Sequence, residues 1–280
     1  MNKELQQVIR AMNGVHKEIS VYDESFLLKS IEKRQVATSC ATIADYCKYL
    51  SVHHGEAEEF YRSLNITYSE FFRNPLTFDV LEQRVLPALT DEKLELGGSE
   101  IRIWSAGCAA GQESYSIAIL LDELISARKI PLSFRIFATD ISDESLASAR
   151  LGIYDAAAVQ NVKLKHIHSC FKSHNGSYSV DGRLKQKIEF SYYDLLDERS
   201  SSPSGSIYGD FDIVFCSNLL FYYKPEIRQL ILKKVCCALS NRGYLVTGEA
   251  ERAIVERTSL FEIFPMSAVY RKTNEQDMMV

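Results

Sequence analysis

Short apolar segments that alternate with helical segments constrain the fold of this chain most strongly. Five such segments read IRIWSAG, SFRIFATD, KIEFSYYD, FDIVFCSN and GYLVTGE, between residues 101 and 249. Helix-periodic segments such as SYSIAILLDELISA, DESLASARLG and PEIRQLILKKVCCAL separate most of them. Strands that alternate with helices are typical of crossover units, in which successive strands run parallel. The sequence therefore predicts an α/β fold with a doubly wound, mostly parallel sheet.

Two segments depart from this alternation. The C-terminal stretch SLFEIFPMSAVYRKT predicts two strands joined through Pro265, as an antiparallel pair at one edge of the sheet. The stretch HIHSCFKSHNGSYSVDGRLKQKIEF contains Asn175-Gly176 and Asp181-Gly182, which are strong hairpin-turn signals. We therefore expect an inserted three-stranded antiparallel sub-sheet at about residues 166–190.

The N-terminal third has a different pattern, because its apolar residues recur at helical spacing. With 280 residues, of which 46% are hydrophobic, the chain is long enough for two domains. We expect a helical domain at residues 1–90 and an α/β domain at 91–280. Within the first, Asn74 as N-cap and Pro75 at the first helical position mark the start of a helix.

Charge and cysteine usage exclude several classes of protein. The net charge is −5, with 32 basic and 37 acidic residues well mixed, which does not favour binding to nucleic acid or to an anionic membrane. The opening stretch MNKELQQVIRAM has no apolar core, so no secretory signal is expected. The seven cysteines are scattered and form no C-x-x-C pair, which favours reduced thiols in the cytoplasm. No metal site is expected either, because no cysteine or carboxylate joins the histidines at a ligand spacing.

A loop of small residues, G-C-A-A-G at 107–111, connects the first predicted strand to the following helix. Such a bare backbone suits either a tight turn or a ligand that lies against the main chain. In open α/β sheets, ligands bind at the carboxyl ends of the parallel strands, and this loop is at one of those ends. Gly107 is therefore a candidate ligand-binding residue.

Acidic residues follow the same strand ends. Asp140 ends the second strand and can accept the two hydroxyls of a ribose, and Asp194 ends the third and can accept from an adenine amino group. Each of these acids can instead be a helix N-cap. Glu113 at the start of the first helix repels phosphate and attracts a cation, and no G-x-G-x-x-G pattern is present. S-adenosylmethionine (SAM), a phosphate-free cationic nucleoside, fits this pattern better than a dinucleotide.

Four segments in this order identify a resemblance to a known family: SEFFRNPLTFDVLEQRVLPAL, RIWSAGCAAGQESYSIAI, RIFATDISDESLASARLGIY and FDIVFCSNLLFYY. Together they resemble the chemotaxis-receptor glutamate methyltransferases, from roughly residue 20 to 272. The resemblance implies a class I methyltransferase domain that uses SAM, a helical N-terminal domain, and an inserted sub-sheet that can dock a peptide from the receptor's C-terminal tail. It also implies that the basic helix carrying Lys29, Lys33 and Arg34 faces the substrate, although the residues themselves favour an ordinary solvated face.

Site residues follow from the same resemblance, position by position. Arg73 and Tyr222 match the residues beside the transferred methyl group, although a surface ion pair and plain core packing are alternatives for them. Thr67 and Ser217 depart from the family, which has asparagine and arginine there, while Gly248 and Glu251 match a terminal G-x-x-E. The cofactor-binding residues implied are Thr67, Ser69, Arg73, Gly107, Glu113, Asp140, Asp194, Leu195, Ser217 and Asn218.

The function implied is transfer of a methyl group from SAM to glutamate side chains of a chemoreceptor, with S-adenosylhomocysteine as product. The expected partner is the cytoplasmic helical region of a methyl-accepting receptor. Because Thr67 and Ser217 differ from the family, two alternatives remain open. One is a module that binds SAM or S-adenosylhomocysteine without catalysis, and the other is a methyltransferase for another protein or a small acid.

Overall fold

The computed structural model describes residues 3–12, 19–206, 209–255 and 260–272. The chain forms two compact units, and one of them is discontinuous in sequence. The first comprises Met1–Ile66 and Phe221–Gln229, and the second comprises Thr67–Leu220 and Leu230–Val280. These ranges differ from the domain ranges expected from the sequence, which divided the chain once, at residue 90.

The first unit is helical. Its apolar core is formed by Leu5, Val8, Leu27, Ile31, Tyr46 and Phe60, which are all fully buried. Asp23 and Thr42 cap the second and third helices by accepting backbone N–H bonds, as short polar residues at helix starts do. The helices are α1 Lys3–Met12, α2 Glu24–Thr38, α3 Ile43–Val52 and α4 Glu56–Ser63, with a 3₁₀ turn at Ile19–Val21.

One polar network ties three of these helices together. The Arg34 guanidinium of α2 binds both carboxylate oxygens of Glu56 in α4, at 2.8 and 2.6 Å. The Tyr46 hydroxyl of α3 donates to the same carboxylate at 2.7 Å. Burial alone would raise the pKa of Glu56, but the bonds from Arg34 and Tyr46 outweigh it and lower that pKa below its ordinary value. Arg34 is therefore a structural residue, and only Lys29 and Lys33 of the expected basic face are exposed on α2.

The segment Phe221–Gln229 belongs to this helical unit through both backbone and ring contacts. Tyr22 and Tyr223 form an antiparallel bridge, and their rings stack at 5.1 Å. The Asp23 N–H donates to the Tyr222 carbonyl at 2.8 Å. The Tyr222 ring also packs against Phe26 of α2, with ring centroids 4.8 Å apart. These contacts place Tyr222 in the first unit.

The second unit begins with a helical segment that contains a π turn. It runs through α5 Pro75–Val80, a π turn at Leu81–Val85, and α6 Leu86–Glu95. Pro75 starts it after the N-cap Asn74, as the sequence predicted. Pro87 lies in the first turn of α6 and has no N–H to donate, so the regular helical hydrogen-bond pattern must change there. The buried face of this segment, which includes Phe78 and Leu81, packs into the core of the second unit, which explains why these helices group with the sheet.

The remaining elements alternate as expected. In chain order they are β1 Glu100–Ala106, α7 Gln112–Arg128, β2 Ser133–Asp140, α8 Asp143–Leu151, β3 Ile153–Asp155, α9 Leu164–Cys170, β4 Phe171–His174, β5 Ser177–Val180, α10 Gly182–Lys185, β6 Ile188–Tyr192, β7 Phe211–Cys216, α11 Pro225–Ala238, β8 Leu239–Thr247, α12 Arg252–Val255, β9 Leu260–Glu262 and β10 Val269–Lys272. A 3₁₀ turn at Leu220–Tyr222 follows β7, and another at Glu249–Glu251 follows β8.

Among the described residues, seven strands form one sheet in the order β6-β2-β1-β7-β8-β10-β9. The neighbours from β6 to β8 pair in parallel, whereas β10 pairs antiparallel with both β8 and β9. The predicted doubly wound, mostly parallel sheet and its antiparallel edge pair are confirmed. The strand order reverses between β1 and β7, which is where such sheets open a crevice for a ligand.

The sub-sheet differs in part from the prediction. Asn175 and Gly176 both have positive φ, 49° and 77°, and form the predicted tight turn between β4 and β5. The prediction of a second hairpin at Asp181-Gly182 was wrong, because the Asp181 side chain accepts the Arg183 N–H at 3.0 Å and caps α10. The third strand is β3, on the other side of β5, and residues 188–192 pair with β2 in the main sheet.

Two further observations bear on the sequence-based expectations. Within the described ranges, the helices are all too short or too polar to cross a membrane. All seven cysteines lie in these ranges and are free thiols, as their spacing predicted.

We expect Glu56→Gln to lower the free energy of unfolding by about 1–3 kcal/mol at neutral pH, because the amide leaves the Arg34 charge without its partner. The pKa of Glu56 is lowered, so its carboxylate stabilises the native state above its ordinary pKa of 4.5. That contribution is lost as the pH falls below this value. Urea unfolding at several pH values should therefore show the two proteins converging in acid.

Glu58→Gln is the matched control, because Glu58 in the same helix pairs with Arg62 at 3.4 Å on the surface. It should cost less than about 0.5 kcal/mol. Equal losses in the two variants would contradict a structural role for the Arg34–Glu56 pair.

Candidate active site

The sheet register brings the loops after four parallel strands to one edge. Ala106 of β1 lies opposite Thr139 of β2, and Asp140 lies opposite Tyr192 of β6. On the other side, Ser105 lies opposite Phe215 of β7. Neighbouring strands are about 4.8 Å apart, so the residues that follow these ends form one continuous rim.

The loop after β1 is shaped by three positive φ angles, at Gly107 (76°), Ala109 (45°) and Gly111 (90°). The Thr139 carbonyl of β2 accepts the N–H groups of Gly107 and Cys108, at 2.8 and 2.9 Å. A side chain at Gly111 would lie 3.0 Å from Ala149 and closer than ordinary contact to Phe190. Glycine is therefore required at 111 by packing and conformation, and at 107 by conformation, so the tight turn alone accounts for both.

Asp140 connects this loop to the end of β2. One carboxylate oxygen accepts the Ala109 N–H at 2.8 Å, and the other accepts the Ser142 N–H at 2.9 Å. The N-cap of α8 is Ser142, so Asp140 does not serve as the helix cap. Burial raises the pKa of Asp140, and the backbone bonds oppose this rise. Each oxygen keeps a further lone pair, with which it can accept a hydroxyl from a ligand.

Asp194 occupies the corresponding place after β6. Its carboxylate accepts the Leu196 N–H at 2.9 Å, and the neighbouring Leu195 is buried. The described residues just after Asp194 form a turn and not a helix, so the N-cap alternative does not apply. The turn presents an acid and an apolar side chain together at the rim.

Glu113 lies in the first turn of α7, next to the β1 loop. The buried Ser105 hydroxyl donates to its carboxylate at 2.8 Å. Burial raises the pKa of Glu113 to about 7, and hydrogen bonds from Ser105 and Ser217 and the Arg73 charge oppose the rise. A carboxylate that is costly to ionise in the free protein gains from a cationic ligand.

A second buried acid holds the loop after β7. Glu251 is fully buried, and its two oxygens accept four backbone N–H bonds, of 2.6 to 2.8 Å, from Asn218, Leu219, Leu220 and Gly248. Asn218 has a φ of 58°, in the left-handed region. A side chain at Gly248 would meet the Asn218 side chain at 2.8 Å. This arrangement fixes Ser217 and Asn218 at the rim.

Arg73 follows a residue with an unusual backbone conformation. Phe72 has a φ of 50°, and its N–H donates to the Ser116 hydroxyl of α7 at 3.0 Å. The Arg73 guanidinium lies 5.2 Å from the centre of the Tyr68 ring and forms no ion pair among the described residues. The structure therefore excludes the alternative of a surface ion pair with this protein's own described carboxylates.

The structure groups most of the candidate residues at one edge of the sheet. These are Gly107, Glu113, Asp140, Asp194, Leu195, Ser217 and Asn218. In the segment before α5, Thr67 is exposed and Ser69 is half-buried, and Arg73 acts electrostatically on Glu113. Tyr222 is part of the first unit, so its role as a catalytic residue stays a prediction.

Two residues with clear structural roles were missing from the candidate set. Ser105 supports Glu113, and Glu251 organises the loop after β7. The G-x-x-E spacing of Gly248 and Glu251 was the available signal for the second. No sequence signal distinguishes Ser105 from other serines inside a strand.

The rim fits a cationic nucleoside. Glu113, Asp140 and Asp194 supply acceptors for hydroxyl, amino and ammonium groups. Glu113 lies at the start of α7, where it would repel a phosphate, because a phosphate site at a helix start needs only N–H donors. The positive-φ loop after β1 provides bare backbone beside them. This fold and this set of acceptor groups are those of a SAM-dependent methyltransferase with a doubly wound sheet.

Comparison with known proteins agrees with this class. Residues 67–270 match the family described as "CheR methyltransferase, SAM binding domain". The chain belongs to the CheR methyltransferase family, and SAM is its cofactor.

Named relatives cover most of the chain. The "Chemotaxis protein methyltransferase" of Borreliella burgdorferi is 32% identical over 234 residues, which are 81% of this chain and 79% of the relative. The "Chemotaxis protein methyltransferase 1" of Pseudomonas aeruginosa is 35% identical over 65% of this chain and 64% of its own length. The Listeria monocytogenes protein of the same name as the first is 27% identical over 85% of both chains.

We expect Glu113→Gln to stabilise the protein without cofactor at pH 8 but not at pH 5. The pKa of Glu113 is raised from 4.5 to about 7, so the unfolded chain loses this proton first and wild-type stability falls as the pH rises through that window. The variant should nevertheless bind S-adenosylhomocysteine more weakly, because its amide carries no charge. Thermal unfolding at both pH values and calorimetry of binding test the two parts, and a variant that is less stable at pH 8 would contradict the assignment.

We expect Glu251→Gln to lower the free energy of unfolding by about 2–4 kcal/mol, because an amide places donor hydrogens against backbone N–H groups. It should also weaken S-adenosylhomocysteine binding, since the Ser217–Asn218 loop loses its anchor. Glu249→Gln is the control, because Glu249 lies in the same 3₁₀ turn and is exposed. Urea unfolding would contradict the anchoring role if both variants matched wild type.

Proposed function

We propose that this protein transfers a methyl group from SAM to glutamate side chains of a chemoreceptor. The observation that carries the proposal is membership of the CheR methyltransferase family over residues 67–270, with relatives named chemotaxis protein methyltransferases. The Arg73 guanidinium acts on Glu113 of the acidic rim and forms no ion pair with the described carboxylates, which supports an anionic methyl acceptor.

Each rim residue has a proposed contact with the cofactor. Asp140 accepts the ribose hydroxyls, while Asp194 and Leu195 hold the adenine by a hydrogen bond and apolar contact. Glu113 pairs with the cofactor's ammonium group, and Gly107 allows it to lie against the backbone. Thr67, Ser69, Arg73, Ser217 and Asn218 complete the proposed set.

The altered position Ser217 fits this assignment in one respect. Its hydroxyl donates to the Val246 carbonyl at 3.4 Å and also acts to lower the pKa of Glu113, and Glu251 fixes the loop that carries it. A serine here can therefore support the acid that we assign to the ammonium group.

The methyl acceptor needs orientation more than activation. SAM supplies an activated methyl group on a positively charged sulfur when it is bound. A glutamate has an ordinary pKa of about 4.3, so it is ionised near neutral pH and needs no general base. We assign to Arg73 the task of binding one carboxylate oxygen so that the other points at the methyl group, and of replacing the water it loses.

Tyr222 is proposed to lie along the path of the methyl group and to donate through its hydroxyl. In support, its backbone is fixed by the Asp23 N–H bond, and its ring is packed against Phe26 and Phe221. A side chain held in this way keeps one orientation, which a positioning role requires. The packing alternative keeps the same contacts but predicts no effect of removing the hydroxyl.

The partner that we propose is the cytoplasmic helical region of a methyl-accepting chemoreceptor, so that the protein acts in the cytoplasm. Exposed Lys29 and Lys33 on α2 offer positive charge to an acidic receptor helix. The three-stranded sheet β3-β5-β4 has edge strands that can add a receptor C-terminal peptide. Methylation removes one negative charge per glutamate, which weakens repulsion between neighbouring receptor helices and can shift their signalling equilibrium.

We expect wild-type protein to transfer tritium from labelled SAM to receptor cytoplasmic fragments as a base-labile ester. Arg73→Ala should lower kcat/KM for the receptor by about 10²–10³-fold, while S-adenosylhomocysteine affinity falls by less than about tenfold, because the cofactor keeps its other proposed contacts. Arg73→Lys should be intermediate, because it keeps the charge but not the planar pair of donors. A protein that binds S-adenosylhomocysteine but esterifies no receptor fragment would instead support the binding-module alternative.

A further inference from the structure

We propose that Tyr68 is a positioning residue that keeps the Arg73 guanidinium available to the substrate carboxylate, in part by holding Glu70 away from it. This inference rests on the proposed role of Arg73. It concerns two side chains outside the candidate set, in the short stretch between Thr67 and Arg73. Tyr68, Glu70 and Arg73 all lie in the second unit.

The first observation is the contact between Tyr68 and Arg73. The guanidinium carbon lies 5.2 Å from the centre of the Tyr68 ring, within the range of a cation–π interaction. The face of an aromatic ring attracts the cation without accepting its N–H bonds in the guanidinium plane. A carboxylate partner would occupy those same donors. Tyr68 can therefore hold Arg73 while leaving its donors for an incoming glutamate.

The second observation concerns Glu70. The Tyr68 hydroxyl donates a short hydrogen bond to a Glu70 carboxylate oxygen. This bond is the main cause that raises the pKa of Tyr68, while the nearby Arg73 charge opposes the rise. Tyr68 thus contacts a cation through its ring and an anion through its hydroxyl.

Glu70 is the carboxylate nearest to Arg73 in the sequence, and we expect it to compete with the substrate for the guanidinium. It precedes Arg73 by three residues, so both are on one short stretch of chain. An exposed ion pair between Glu70 and Arg73 would be weak, but it would occupy the donors that a substrate carboxylate needs. The hydrogen bond from Tyr68 gives Glu70 another partner.

Ordinary packing does not account for Tyr68. Its side chain is 61% exposed, whereas Phe71, three residues further on, is fully buried in the core. An exposed aromatic side chain contributes little to the core, so its two polar contacts are the main interactions that define its position. The same exposure leaves the Tyr68–Arg73 pair accessible to a protein substrate.

The test is a double-mutant cycle of Tyr68→Phe and Glu70→Gln, measured on receptor methylation. Tyr68→Phe keeps the ring but frees Glu70, so we expect KM for the receptor to rise about 2–5-fold, with kcat within about twofold of wild type. Adding Glu70→Gln to this variant should restore KM. Tyr68→Ala loses the ring as well and should lower kcat/KM by about 5–30-fold. Tyr49→Phe, which removes a hydroxyl from α3 in the first unit, is the matched control and should leave KM unchanged.

A second measurement needs no receptor and separates this inference from the proposed function. The rate at which phenylglyoxal modifies Arg73, followed by peptide mass spectrometry, reports whether the guanidinium is engaged by a carboxylate. We expect this rate to fall about 2–5-fold in Tyr68→Phe and to recover in the double variant. If the wild-type protein transferred no methyl group to receptor fragments, the proposed function would be overturned, but the expected differences in modification rate would still hold. Equal modification rates in wild type and Tyr68→Phe, or a KM that Glu70→Gln does not restore, would overturn the positioning role.

Discussion

The buried carboxylate of Glu251 is the interaction on which the shape of the active-site rim depends. It accepts N–H bonds from three successive residues after β7 and from Gly248 after β8, so it links the loops that follow these two neighbouring strands. Burial raises the pKa of Glu251, and those four bonds oppose this rise without cancelling it. Without them, Asn218 would have no evident reason to remain at a φ of 58°.

The rim also concentrates negative charge before any ligand is present. Burial raises the pKa of Glu113, Asp140 and Glu251 together, and the first two act on the same β1 loop through Ser105 and Ala109. Such a site is less stable alone than with a cation, because the cation offsets the cost of ionising the acids. The cost of ionising these buried acids lowers the stability of the free protein, and binding of a positively charged nucleoside relieves that cost.

Periodicity predicted the elements well, because it reports which face of each segment is buried. All five parallel strands and the edge pair around Pro265 were found in this way, and the capping signal Asn74-Pro75 gave a helix start correctly. The turn signal at Asp181-Gly182 was misleading, because the same residue pair that makes a hairpin turn caps α10 instead. Helical pattern also could not show that α5 and α6 group with the sheet, or that residues 221–229 join the N-terminal helices, since both depend on contacts between distant segments.

The acidic rim and Arg73 have opposite charges, and the proposed methyl transfer runs from a cationic donor to an anionic acceptor. In the proposed function, the acids at the strand ends attract the donor, and the same charges would repel a glutamate acceptor. The proposed role of Arg73 is to offset that repulsion, which requires that its N–H donors stay unoccupied. The Tyr68 ring contacts the Arg73 guanidinium as a cation–π partner, and such a contact does not use a carboxylate. In this proposal, the aromatic residue at position 68 complements the acidity of the rim, because it contacts Arg73 without placing another carboxylate on that guanidinium.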